Sequence, residues 1–130
     1  MNQFLERAKA LREDPNAHHN CAQAVLEAFA PECELTQEQA AKLGAHFGSG
    51  MKIAATCGAI TGALMVIGML GGDDDAYRAF MTAMKDNHEG MTNCADLLKK
   101  NAATGCPKEQ HCDGMVYEAV ENVFKVMHLE

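Results

Sequence analysis

The stretch that decides the fold is residues 47–72, FGSGMKIAATCGAITGALMVIGMLGG. It opens on a glycine-rich approach, Gly48-Ser49-Gly50, and passes through Thr56-Cys57-Gly58-Ala59. It then continues as the most apolar segment of the chain and stops at Gly71-Gly72. The pattern predicts a helix whose first residues are Cys57 and Gly58, with the Thr56 hydroxyl capping an orphan backbone N–H. A thiol in that first turn faces the partial positive charge of the helix end, which favours the thiolate. Gly58 and Gly62 lie four apart on one face, with Ala59 and Ala63 on the next. That smooth strip admits another backbone, a side chain or a cofactor, and it serves a homodimer as readily as an internal core.

Outward from this helix, the composition is globular. The chain has 130 residues, 48% of them hydrophobic, enough for one domain over 1–130 with a real core. Three prolines and many Ala, Leu, Met, Glu and Lys residues favour helix. A net charge of −7 argues against nucleic acid, whose phosphates require a basic footprint. The N-terminal MNQFLERAKALRED carries charges throughout and has no apolar signal region, so the expected location is cytoplasmic. The apolar run 53–70 is only about the lower limit for a membrane span. It has no flanking basic or aromatic belt, and no membrane span is expected.

The remaining segments read as helices too. Residues 2–13 are amphipathic, with Phe4, Leu5, Ala8 and Leu11 apolar and Glu6, Arg7, Lys9, Arg12 and Glu13 outside. A second helix follows, capped by Asn16 or Asn20 and running to about Ala30. Thr36 and Gln39 form a capping-box pattern for a third, with Ala40, Leu43 and Phe47 inward. Asp73, Asp74 and Asp75 mark another start, for a helix burying Tyr77, Phe80, Met81 and Met84. A shorter helix opens at Thr92-Asn93-Cys94, residues 101–111 read as a loop, and a final helix runs from about Cys112 to Met127. With no strand-period segment or repeat, the expected fold is an all-α bundle of about six to seven helices.

Six cysteines in such a chain point to metal or redox chemistry rather than to a secreted disulfide framework. Asn20-Cys21, Thr56-Cys57 and Asn93-Cys94 each pair a cap residue with a cysteine at a helix start. Cys112 opens the last helix, though His111 is a poor cap. Each of the four shares the apolar face of its helix, so they can converge at one end of a bundle. Two chemistries use such a cluster. Pairs of thiols can cycle between dithiol and disulfide; alternatively Cys21, Cys57, Cys94 and Cys112 can ligate zinc or an iron–sulfur cluster. The bland alternative is a structural or partner-binding helical domain with buried thiols.

No C-x-x-C is present, so thioredoxin-like, zinc-ribbon and c-type haem signatures are absent. Cys106 lies six residues before Cys112 and competes with it; Cys33, in a turn between helices, reads as a bystander. His18, His19 and His111 lie near cysteines, while His46, His88 and His128 sit near helix C-termini, where histidine complements the dipole. The Gly-Ser-Gly at 48–50 lacks the Lys-Ser/Thr of a phosphate-binding loop.

Cys57-Gly58-Ala59-Ile60-Thr61-Gly62 fits a C-G-A-x-x-G motif. With NCAQAVL at 20–26, the GSG loop, GALMVIG at 62–68, Cys94-Ala95-Asp96-Leu97-Leu98 and a final Cys112, the chain resembles the C_GCAxxG_C_C family from about Asn20 to Phe124. The resemblance implies a small redox-active protein with four characteristic cysteines, which map onto Cys21, Cys57, Cys94 and Cys112. Members are often encoded near transporter genes, which implies a redox partner linked to a transport system. A related domain occurs in split-Soret cytochromes, but their haem attachment motif is missing here. The leading expectation is a thiol-redox or electron-transfer protein, in its enzymatic form a thiol–disulfide oxidoreductase. Cys57 is its activated thiolate, Cys21, Cys94 or Cys112 its resolving partner, and Gly58 and Gly62 its close-approach surface for a cofactor.

Overall fold

Helices start where short polar side chains satisfy the free backbone N–H groups of a first turn. In the computed structural model, which describes residues 2–129, Asn2 caps α1 (Gln3–Arg12), accepting from the N–H of Phe4 and Leu5. Asn20, not Asn16, caps α2 (Cys21–Ala28), and Thr36 caps α3 (Gln37–Gly44). Both caps are reciprocal: Gln23 and Gln39 side chains accept in return from the N–H of Asn20 and Thr36 at 2.9 Å each. The apolar helix is α4 (Gly58–Met69), and Asp73 caps α5 (Asp74–Asp86). Then come α6 (Cys94–Thr104), closed by Gly105 at φ 79°, and α7 (Lys108–Val126). The expected all-α architecture is what the chain forms: it is 69% helical, and the described residues contain no strand.

The bundle is built around α2. Ala22, Ala24, Val25, Leu26, Ala28 and Phe29 are all buried, because α1, α3, α4 and α7 pack on it from different sides. On the α4 side the small residues set the distance. A Cβ at Gly62 would lie 3.0 Å from the Ala22 carbonyl oxygen and 3.1 Å from its Cα. A Cβ at Gly58 would lie 2.7 Å from the Phe47 carbonyl oxygen. The glycine strip is therefore the groove in which α2 lies, not an outer surface. On the α1 side Phe4 stacks on Phe29 with ring centroids 4.5 Å apart. The outer helices α5 and α6 lean on α7, which supplies Met115, Val116, Ala119, Val120 and Val123 to the core.

Two side chains expected inside are outside. Leu43 is 50% exposed and Tyr77 47% exposed. In α3 the covered face runs through Ala40 and Gly44, and in α5 through Ala76, Phe80 and Met84. Each misplaced residue sits one position off that i, i+4 line, about 100° round the helix. No helix of the described residues is long and apolar enough to cross a membrane.

Between α3 and α4 the chain makes an unusual turn. Ser49, Gly50, Met51 and Lys52 are consecutively left-handed, with φ of 53°, 61°, 60° and 65°, and Ala54 follows at 56°. The Ala55 N–H closes the turn on the Gly50 carbonyl at 3.0 Å. For L-residues this conformation costs about 1–2 kcal/mol each, so the turn is held in place by the packing on either side.

The packing makes a paired prediction. Gly62→Ala pushes a methyl into the α2 backbone and should destabilise by about 1–3 kcal/mol. Gly114→Ala, in α7 with nothing within 4 Å of the new methyl, should stabilise by up to about 1 kcal/mol. Urea denaturation of both variants checks this; a neutral Gly62→Ala would contradict the described α2–α4 approach.

Candidate functional site

Four helices deliver one cysteine each to a common place. Cys21 is the first residue of α2, Cys57 occupies the cap position of α4, Cys94 begins α6, and Cys112 lies in the second turn of α7. All four line one enclosed space of about 30 Å³, walled also by Gly58 and Met115. The tight α2–α4 packing sets the first pair side by side: an ideal Cβ on Gly58 falls 3.3 Å from the Cys21 Cβ. A short antiparallel bridge between Thr56 and Asn93 sets the second pair. The Cys57 N–H donates to the Thr92 carbonyl at 2.9 Å and the Cys94 N–H to the Ala55 carbonyl at 2.6 Å. Side chains alternate along extended backbone, so Cys57 and Cys94, each one residue past the bridge, emerge on the same face.

Three local expectations change. Thr56 is not the cap of α4, because the bridge takes it; Cys57 stands there instead, and its carbonyl accepts from Ile60 and Thr61. The Asn93 side chain makes no capping bond to α6. Nor does Cys112 open its helix. Pro107, with φ −60° and no N–H to leave unpaired, starts α7 at Lys108, so the expected 101–111 loop shrinks to Gly105–Pro107.

The thiols differ sharply in their electrostatics. The Cys21 thiol facing it lowers Cys112 to about 7. The Arg12 and Lys108 charges assist, and burial opposes. The same pairing, with burial, raises Cys21, which holds the proton of the pair. Burial pushes Cys57 up to about 11, although the amides of Ala59 and Ile60 pull the other way. Cys94 is also raised, first by burial and then by the neighbouring Cys112. All six cysteines are free thiols.

Arg12 was placed by helical periodicity on the outer face of α1, yet its side chain is 9% exposed. Its Nε donates to Asp113 at 2.6 Å and its Nη1 to the His19 carbonyl at 2.9 Å. It thus ties the lead-in to Cys21 to the residue after Cys112. His19 is fixed in turn by the buried Glu27, 2.8 Å from its Nδ1. No sequence signal marked these contacts: Arg12 reaches across to α7, and His19 reaches from the lead-in to α2 onto the buried Glu27.

The other candidates sort by position. His111 borders the cysteine space and is lowered by burial and by His88, which keeps its ring neutral at pH 7. His18 lines a second, more open groove of about 240 Å³ with Arg12, Ser49, Lys108, Cys21 and Cys112. This groove touches neither Cys57 nor Cys94. His46 contacts Lys52 and His88 contacts Glu118. Cys33 is 3% exposed in the core, and Cys106 lines neither space. Gly58 edges the cysteine space, while Gly62 lies under α2. Among the described residues no three Cys, His, Asp or Glu side chains stand close enough together to hold a metal ion. Ligation by Cys21, Cys57, Cys94 and Cys112 would require them to draw in further.

Residues 19–126 match the family model described as "Putative redox-active protein (C_GCAxxG_C_C)". The chain belongs to this family. No curated protein and no solved structure matches it.

The Arg12 bridge makes its own prediction. Arg12→Met removes the nearest fixed cation and should move the pH midpoint of Cys112 alkylation upward from about 7, while Arg12→Lys should move it less. A midpoint unchanged in Arg12→Met would show that the guanidinium does not act on the thiolate.

Proposed function

We propose that this member of the C_GCAxxG_C_C family is a thiol–disulfide redox protein whose working couple is Cys112 and Cys21. The observation that carries this reading is that Cys21 and Cys112 both line the wall of one open groove, with Cys112 lowered to about 7. An attacking thiol works best when its pKa is near the ambient pH, where it combines thiolate fraction with nucleophilicity. Cys57, near 11, is about one part in 10⁴ thiolate at pH 7. Burial thus outweighs the helix-end effect that favoured Cys57 in the sequence, and the nucleophilic role passes to Cys112.

The reaction is two successive exchanges. The Cys112 thiolate attacks one sulfur of a disulfide entering the groove, forms a mixed disulfide and expels the other half as a thiolate. Cys21 gives up its proton and attacks the Cys112 sulfur, so that the second half leaves as a thiol. The protein dithiol becomes the Cys21–Cys112 disulfide, the incoming disulfide becomes two thiols, and one electron pair is transferred. Run backwards, the same steps reduce the protein. Cys21 is suited to the second step because it lines the same groove as Cys112 and keeps its proton until the mixed disulfide forms.

The lowered pKa fixes the sign of the pH dependence. The folded protein stabilises the Cys112 thiolate, so alkylation should rise with pH through about 7 rather than through 9.0 and level off above. Iodoacetamide labelling with peptide mapping should find Cys112 modified first, well ahead of Cys57 and Cys33. Cys112→Ser should abolish the two-electron couple, while Cys106→Ser should leave it intact. Preferential labelling of Cys57, or a couple that survives Cys112→Ser, would reject the assignment.

A further inference from the structure

We infer that Cys57 and Cys94 form a second, inner dithiol couple that takes over the disulfide made at Cys21 and Cys112, so that the chain stores two electron pairs. The inference rests on the outer couple proposed above. Its basis is the division of the four thiols between two spaces. Cys21 and Cys112 line both the open groove and the small space behind it; Cys57 and Cys94 border the small space but not the groove. At about 30 Å³ that space has room for little more than a single water. No external disulfide can enter it. Cys57, 7% exposed, is reached by an oxidant only through the thiols beside it; Cys94 is half-buried at the start of α6.

The chain geometry supplies the route. Cys57 neighbours Cys21 across the α2–α4 contact, and Cys94 shares the face of Cys57 across the Thr56–Asn93 bridge. Diagonal residues of an antiparallel pair have Cα atoms about 7–8 Å apart, slightly beyond the usual disulfide range of about 4.4–6.8 Å. Closing the inner bond requires a shift of about 1 Å. The backbone that must shift, 55–57, adjoins the left-handed turn rather than a helix interior.

The steps balance without a further oxidant. Starting from the Cys21–Cys112 disulfide, Cys57 loses its proton and attacks the Cys21 sulfur. The Cys21–Cys112 bond breaks and Cys112 leaves as a thiolate. Cys94 then attacks the Cys57 sulfur of the Cys21–Cys57 disulfide, and Cys21 leaves and takes up a proton. The disulfide now joins Cys57 and Cys94, one proton is released, and no electrons enter or leave. Cys112 is again a free thiolate facing the groove, ready for a second external disulfide. The direction follows from the thiol chemistry: a couple whose thiolate is stabilised favours its reduced form, so its disulfide is the stronger oxidant. The outer couple has such a thiolate and the inner couple does not. The disulfide should come to rest inside.

The test uses the full chain, reduced anaerobically and mixed with one equivalent of bis(2-hydroxyethyl) disulfide. Samples are quenched in acid at intervals, alkylated in denaturant and mapped by peptide mass. The expected course is a Cys21–Cys112 disulfide at early times that gives way to Cys57–Cys94, and both disulfides after a second equivalent. In Cys94→Ser, checked for folding by circular dichroism, no Cys57–Cys94 bond can form and one external equivalent should saturate the protein. A Cys21–Cys112 disulfide that persists while Cys57 and Cys94 remain alkylatable would overturn the inner couple and leave the outer one standing. Failure to form any Cys21–Cys112 disulfide would overturn both.

Discussion

The structure depends on the close approach of α2 and α4. Gly58 and Gly62 let the α4 backbone lie against Ala22, with no side chain between the two helices. Everything at the cysteine end follows from that contact. It brings Cys21 beside the start of α4 and buries Cys57. It also fixes where the bridge to Asn93 must form, and so where α6 begins. A bulkier residue at either glycine would separate the helices at the end where the thiols meet. In this fold the glycines are a packing device first, and their effect on chemistry is indirect.

The same burial that assembles the thiols makes them unequal. A thiolate in an apolar setting is costly unless a donor or a cation faces it. Cys112 has both, in the Cys21 thiol and in Arg12 and Lys108; Cys57 has only backbone amides and little solvent. Arg12 can act on Cys112 because Asp113 and the His19 carbonyl hold it still. Arg12 is therefore both a cation facing Cys112 and the clamp between the two thiol-bearing helices. Ser49 and Gly50, from the left-handed turn, also line the cysteine space. The strain of that turn is confined to the few residues that join α3 to the site.

Much of this was legible in the chain. Local hydrogen-bonding signals are self-contained, so the caps at Asn20, Thr36 and Asp73 were readable from three or four residues each. The four motif cysteines could be singled out because their flanking patterns are distinctive, and they do share one space. What failed to show was whatever depends on a distant partner. Thr56 has the chemistry of a cap but is claimed by Asn93, 37 residues on. Arg12 reads as a solvated charge because its partners, Asp113 and the His19 carbonyl, lie outside its own helix. Leu43 and Tyr77 read as buried because periodicity marks an apolar stripe without saying how wide a strip the neighbours cover. The start of α7 was hidden by placing Cys112 at a helix end by analogy with the other three.

The central claim is that four thiols from four helices act together as exchanging couples. The most direct test is the intact mass of the anaerobically purified protein, equilibrated in a series of dithiol/disulfide buffers, quenched in acid and alkylated in denaturant. Each disulfide removes two hydrogens, about two mass units, and protects two thiols from alkylation. The account predicts two reversible steps, each removing a pair of alkylatable thiols at its own buffer poise, with Cys33 and Cys106 still labelled after both. A protein that keeps all six thiols alkylatable in every buffer would contradict it.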